Sequence, residues 1–512
     1  MPPAAVPDDV LTTPFTDYLL RNAGADRPAF TCRTFPGPAD RTLTWPQLLA
    51  RVRGVARELR RVTRPGDRVA IVARQDLGYV TAFLGTLYAG RIAVPLSVPT
   101  GRTNRARIEA AFADATPAAC LTSKDLVDKV PPVAVLAVDD IEDIEDGDAE
   151  PPAAVAMTDP AYLQYTSGST RRPAGAVISH RALVAACWQT TQCYRADAST
   201  PLVGWVPFFH DMGLVLLVGT PVFLGSRSVF FTPMEFVRDP LRWIRLLAEH
   251  PGAVTAAPNF AFDLAAEAAG ELEAVDLSHV NSLLNGSEPV RAATVENFAR
   301  AFAPFGLPPA AHKPAYGLAE ATVFVTSAGD EGATITVFDG EPHVSVGRPY
   351  GQRIRVADKE IQVSGPNLAD GYWGRDDVLA PGGWLATGDL GFVHNGQLYV
   401  TGRRKDLIIV DGRNHHPQDI EATVEAAHPS VRRAAAFGVR DGHGEGVAVV
   451  AGCTAPGEEV ETAVRRAVSA GHDLPVRAVW LVRPGEVPRT SSGKVSRAAA
   501  RDRWWGENGR HD

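Results

Sequence analysis

At 512 residues the chain exceeds one ordinary core, and a length prior gives about three units. Its 45% hydrophobic and 21% charged content is that of a soluble globular protein. A net charge of −8 argues against a nucleic-acid partner, which would need clustered Lys and Arg.

In chain order, MPPAAVPDDV has neither the basic nor the apolar region of a secretory leader. RTLTWPQLLARVRGVARELRRV spaces its apolar residues for an amphipathic helix. GDRVAIVAR predicts a strand, LGYVTAFLGTLYAG a helix ending at Gly90, and IAVPL the next strand. The alternation continues through AACLTS, VAVLAV, RSVFF, AVTAAP and SLLNG, the signature of a parallel α/β sheet. MGLVLLVGTPVFLG is the most apolar run, but it is too short for a membrane span and contains Pro221. It predicts a buried core segment. Cys32, Cys120, Cys187, Cys193 and Cys453 are widely spread with no CxxC, and read as reduced, mostly buried thiols of a cytosolic protein.

Asp139 to Asp159 is acidic, contains Pro151 and Pro152, and predicts a solvated linker. A second change falls near Arg403, beyond which DLIIV, RRAAAFGV and VAVVAGC suggest a small α+β domain. Residues 403–512 carry 17 basic against 15 acidic side chains, and the remainder 34 against 44. The expected division is therefore a large domain, 1–402, and a small one, 403–512.

YTSGSTRRPAGAVISH, residues 165–180, lies between a predicted strand, AYLQYT, and a predicted helix, HRALVAACWQTT. Glycines and hydroxyls before a helix N-terminus suit a phosphate cradle. It is not a Walker A loop, and Ala174 stands where a lysine is often found. Glu320 in AYGLAEAT is a carboxylate of the kind that holds Mg²⁺ with phosphates. Asp389 in ATGDLGF is placed to accept from sugar hydroxyls, and Lys494 in PRTSSGKVSR is a cation at a loop tip. Each alone reads as a surface residue about as readily.

Taken in order, LQYTSGSTRRPAGAVISH, GWVPFFHDMGLV, AAPNFAFDLAA, NGSEPV, AYGLAEATVFV, TGDLGFVHNGQLYVTGRRKDLIIVDGRNHHPQDIE and PRTSSGKVSR resemble the adenylate-forming superfamily of acyl-CoA synthetases, peptide-synthetase adenylation domains and luciferases. The likeness is greatest to the fatty acyl-AMP ligases and runs from about Phe15 to Ala500. Ala174 fits that subfamily, whose loop looks like Arg-x-Pro-Ala-Gly. The resemblance implies an α/β adenylation domain with parallel-sheet subdomains, plus a mobile α+β domain that carries the catalytic lysine.

It further implies that ATP and a fatty or related carboxylic acid give acyl-AMP and pyrophosphate, and that the acyl group then passes to the phosphopantetheine thiol of an acyl carrier protein. Thr166, Ser167, Gly168, Ser169 and Thr170 would cradle phosphates, and Glu320 would hold Mg²⁺. Asn285, Gly286, Ser287, Glu288, Ala315, Tyr316 and Gly317 would line the adenine pocket. Asp389 and Arg403 would take the ribose, and Lys494 the carboxylate and α-phosphate. His210 would face the acyl carboxylate, Phe260 and Phe262 would wall the acyl pocket, and Lys405 would be the hinge. Monomer and homodimer both stay open, in the cytoplasm.

Two departures qualify this. The segment SAGDEGATITVFDGEPH, residues 327–343, is short for the insertion thought to exclude coenzyme A, and the strands in GQRIRVADKEIQVSGPNLADGYW have lost a turn. His415–His416 replaces a more usual His-aromatic pair and is assigned no metal. An acyl-CoA ligase is therefore the alternative enzyme. A catalytically silent binding module is the alternative of another class, opposed by Glu320, Asp389 and Lys494. An amino-acid adenylation domain is disfavoured because Asp263 ends PNFAFD, where the substrate-pairing acid is expected near its start.

Overall fold

Thr44 starts the first long helix, Trp45–Val62, by a capping box in which its backbone N–H donates to Gln47 Oε1 at 3.0 Å. Leu48, Val52, Val55 and Leu59 recur at helical spacing and are buried. Asp76 caps the helix Leu77–Tyr88 through the N–H groups of Gly78 and Tyr79. The two helices touch at Gly85, where a Cβ would lie 2.5 Å from Val55 Cγ1. The structure, a computed structural model, describes residues 5–35, 40–145, 150–165, 174–338, 340–375, 379–410, 413–441, 444–490 and 493–505.

Two large sheets form the body. In the six-stranded one the order is Ala134–Ala137, Ala119–Thr122, Arg68–Val72, Ile92–Pro95, Pro160–Tyr165 and Gly175–Ser179. Its neighbours are parallel except the last pair. The nine-stranded sheet has a parallel centre that includes Leu202–Gly204, Val254–Ala257, Ser282–Asn285 and His312–Tyr316. The helix His180–Tyr194 is almost wholly buried. Residues 211–224 form one buried helical run with a π-turn at Val215–Gly219, closed by left-handed Gly225. Among the described residues no helix is long and apolar enough to cross a membrane. All five cysteines are buried thiols.

A four-stranded antiparallel sheet follows, Arg353–Ala357, Glu360–Ser364, Leu385–His394 and Gln397–Arg403. Its first two strands meet at Asp358 and Lys359, both at positive φ, which is the tight turn the shortened sequence required. Beyond Arg403, the strands Val431–Asp441, Gly444–Cys453 and Val476–Val482 pair as a sheet. The helices Pro417–Ala426 and Glu458–His472 belong with them. Ile420, Val424, Val447, Val449, Val464 and Val468 make a core separate from that of the large body.

Two sequence expectations need correction. The described parts of 139–159 are irregular but are not a free linker. Ile144 N–H donates to Ala50 O at 3.0 Å and Ala153 N–H to Tyr88 O at 2.9 Å, so this segment straps both helices. Gly54 makes room for it, because a Cβ there would lie 2.1 Å from Glu142 O. Second, the phosphate-loop candidate does not lead straight into a helix. Tyr165 pairs with Gly175 and Pro160 with Ser179, so the loop joins two antiparallel strands. The helix starts at His180, whose N–H donates to Asp159 O at the far end of that hairpin. At ~3.3 Å per residue the strand Gly175–Ser179 sets the helix N-terminus roughly 16 Å from Ala174.

Candidate active site

Both domains line one cavity of about 1170 Å³. Its floor is set by strand ends of the nine-stranded sheet. After Ser282–Asn285 the chain turns through Gly286, Ser287 and Glu288, with Ser287 at φ 74°. Asn285 is fully buried behind this turn and donates to Asn259 Oδ1 at 3.0 Å, so it braces the wall and does not border the cavity. Glu288 Oε1 is buried with no hydrogen-bond partner among the described residues. After His312–Tyr316, Gly317 lets the chain fold back on itself, since a Cβ there would lie 1.4 Å from Val323 O. Thr322 and Val323 are both left-handed, at φ 47° and 72°, a strain concentrated where Glu320 is presented.

Glu320 lines the cavity and accepts a hydrogen bond from Tyr372 O–H at 2.5 Å. Asp389, expected on a turn, sits within the strand Leu385–His394 opposite Arg403 and is only 4% exposed. Its carboxylate accepts from Tyr316 O–H at 2.7 Å and pairs with Arg403 Nε at 2.8 Å. Burial pushes the Asp389 carboxyl above the usual carboxylate range, and Arg403 and Tyr316 oppose the shift. Burial works against the Arg403 charge, yet Asp389 raises its pKa overall.

Lys494 reaches the cavity on a hairpin of the small domain, where Thr490 N–H donates to Lys494 O at 2.7 Å and Gly493 has φ 84°. Burial lowers the Lys494 pKa, while Asp211, Glu288 and Asp389 raise it and Arg403 adds to the lowering. Burial likewise raises Asp211, opposed by Lys494 and by the N–H of Met212. The cavity thus holds a cation among acids at low dielectric, where a charged ligand would be felt strongly.

His210 precedes the helical run and lines the cavity. Met212, Val215 and Leu216 of that run, with Leu284, Val323 and Phe324, add an apolar wing that reaches Thr190 and Tyr194. Phe260 also borders the cavity, with its ring 3.5 Å from the Cβ position of Gly493. Phe262 is different. It is fully buried, stacked on His312 at 4.5 Å and edge-on to Trp243 and Phe298, and it belongs to the core. The helix Asn259–Ala268 places positions 260 and 262 on different sides, which their separation of two residues dictates.

Gly286, Ser287, Glu288, Ala315, Tyr316, Gly317, Glu320, Asp389, Arg403, Lys405, Lys494, His210 and Phe260 are thus brought together. Thr166, Ser167, Gly168, Ser169 and Thr170 lie outside the described residues, although Tyr165 and Ala174, which flank them, line the same cavity. Asp211, Tyr372 and Arg291 were missed by sequence reasoning. Asp211 could have been found beside His210 in FFHDMG, whereas Tyr372 in DGYW carries no signal of its own.

Residues 20–373 match the AMP-binding enzyme family, and residues 405–511 the Disco-interacting protein 2-like AMP domain. The chain is 38% identical to the long-chain-fatty-acid–AMP ligase FadD26 of Mycobacterium marinum, over 95% of this chain and 96% of that one. It is 38% identical to the 4-hydroxyphenylalkanoate adenylyltransferase of Mycobacterium tuberculosis, over 92% of this chain and 87% of that one. A structure from work on fatty acyl-adenylate ligases of E. coli and L. pneumophila superposes with a TM-score of 0.88 at 29% identity, covering 98% of this chain and 99% of that one.

Proposed function

This chain belongs to the AMP-binding family of adenylate-forming enzymes, and from that premise we propose that it activates a fatty or related carboxylic acid with ATP and loads it onto an acyl carrier protein. The observation that carries the reading is the convergence of Glu320, Asp389 and Lys494, from three separate motifs and both domains, on one cavity with an apolar wing.

In the first step a carboxylate oxygen attacks the α-phosphorus, the bond to the β-phosphate breaks, and acyl-AMP and pyrophosphate result. Asp389, oriented by Tyr316 and Arg403, accepts from the ribose hydroxyls. The turn Gly286–Glu288 and the segment Ala315–Gly317 flank the adenine, and the buried Glu288 Oε1 offers an unused acceptor there. Glu320 is a hard oxygen donor already oriented by Tyr372, and it would hold Mg²⁺. The bound ion would supply neutralisation of triphosphate charge. Lys494 stabilises the charge that develops between carboxylate and α-phosphate, while His210 faces the acyl carboxylate. The loop 166–170 cradles the remaining phosphates.

In the second step the thiol of phosphopantetheine attacks the acyl carbonyl, AMP leaves, and the thiol proton passes to solvent. Residues 403–512 turn about Lys405 between the steps and withdraw Lys494. This fits starter-unit supply for a polyketide or lipopeptide, in the cytoplasm.

A second acceptor, coenzyme A, is favoured by one feature. The segment that would exclude it is here only a small hairpin, Ile335–Phe338 with Glu341–Val344. Intact-mass spectrometry decides between the two. The protein receives ATP, Mg²⁺ and aliphatic or aryl-alkanoic acids, with holo carrier protein or coenzyme A. Acyl mass on the carrier alone supports the proposal, acyl-CoA supports the second reading, and no adenylate with any acid refutes both.

A further inference from the structure

Lys494 can act only while the small domain holds it in the cavity, so whatever fixes that pose matters for the first step. The hairpin bearing Lys494 is tied to the helix Pro417–Ala426. Arg497, three residues on, binds Glu421 through two contacts of 2.7 Å and Asp406 at 3.1 Å. One turn further along that helix, Glu425 reaches the large domain. Its Oε2 lies 3.3 Å from Arg291 Nη1, while its Oε1 accepts from Ala434 N–H at 3.1 Å. Arg291 is aimed from the other side by Asp263 Oδ2, 2.5 Å from Nη2, on the helix Asn259–Ala268. The three side chains are 34%, 27% and 21% exposed for Arg291, Asp263 and Glu425, dry enough for the pair to count.

We infer that Arg291 is a positioning residue for the adenylation step: by joining Asp263 to Glu425 it latches the small domain in the pose that delivers Lys494. The inference rests on the adenylate-forming reading for its kinetic part and on geometry alone for its conformational part. The link must break before the small domain can turn, so it favours the first half-reaction at the expense of the second.

Two variants test it. Glu425→Gln keeps the acceptor for Ala434 N–H but turns an amide toward Arg291. Asp263→Asn weakens the aim of Arg291 without touching the small domain. Spin labels at Leu264→Cys and Glu459→Cys, both exposed and on opposite domains, report the pose without any substrate, since the native thiols are buried. Both variants should broaden the distance distribution. They should lower kcat of acid-dependent ATP–pyrophosphate exchange by roughly three- to tenfold with KM for ATP unchanged, and leave transfer from supplied acyl-adenylate equal or faster. Distance distributions that superimpose on the parent overturn the latch, whether or not the enzyme turns over. Equal loss in both half-reactions also overturns it. A broadened distribution in a protein whose parent shows no exchange with any acid supports the latch and refutes the ligase reading.

Discussion

Replacing Lys494 by methionine keeps an unbranched, flexible side chain one atom shorter and removes its charge. In the cavity that ammonium answers to Asp211, Glu288 and Asp389, so part of its field is spent on them. Two unit charges about 4 Å apart at an effective dielectric near 20 interact by about 4 kcal/mol. Loss of one preorganised donor at a developing charge costs about 10²–10³ in rate. The partial neutralisation by three acids places Lys494→Met toward the lower end, about 10² in kcat of adenylate formation. Fold stability should hold, because burial already penalises this cation. The assay pairs acid-dependent ATP–pyrophosphate exchange with transfer of acyl groups from supplied acyl-adenylate to holo carrier. Exchange should collapse and transfer should stay within about twofold, a difference far smaller than the electrostatic loss. Equal losses in the two assays would refute a role confined to the first step, and unimpaired exchange would refute any role for the charge.

Gly317→Ala should cost more than about 3 kcal/mol, because the new Cβ would meet Val323 O at 1.4 Å; a wild-type urea midpoint would contradict this close approach. Glu320→Gln keeps the acceptor for Tyr372 but loses the charge, so the Mg²⁺ concentration for half-maximal activity should rise roughly tenfold, read by a Mg²⁺ titration. Burial lowers His180 to about 4 and His312 to about 3, so both are neutral in the folded protein over a range where the unfolded chain binds protons. Their stability contribution is present above the unfolded value near 6.5 and is lost as pH falls toward about 4 and about 3. The unfolding free energy from urea melts should therefore drop steeply between pH 6.5 and 4, by about 3 kcal/mol for His180 alone, and His180→Gln should flatten the profile. An unchanged slope in that variant would exclude His180 as the source.

Local chemistry determined much of this protein. Spacing predicted a helix over residues 41–62, of which Trp45–Val62 forms while Arg41–Thr44 pairs as a strand with Pro28–Cys32, and the run ending at Gly90 contains the helix Leu77–Tyr88, because capping acts within a few residues. Glu320, Asp389 and Lys494 each read singly as surface residues about as readily, and only the order of their motifs along the chain, through its family resemblance, marked them out. Tertiary structure decided what depends on partners far along the chain. The strand Gly175–Ser179 was hidden because its reason to extend is its pairing with Pro160–Tyr165, and that moved the helix start away from the loop. Phe260 and Phe262 look alike as letters, but the helix turns one toward the cavity and the other into the aromatic core around Trp243. Tyr372 on Glu320 and Arg291 between Asp263 and Glu425 join residues 52, 28 and 134 positions apart. Such contacts exist only once separate elements are packed, because the free energy that fixes them comes from burial shared across the whole fold and not from the residues beside them.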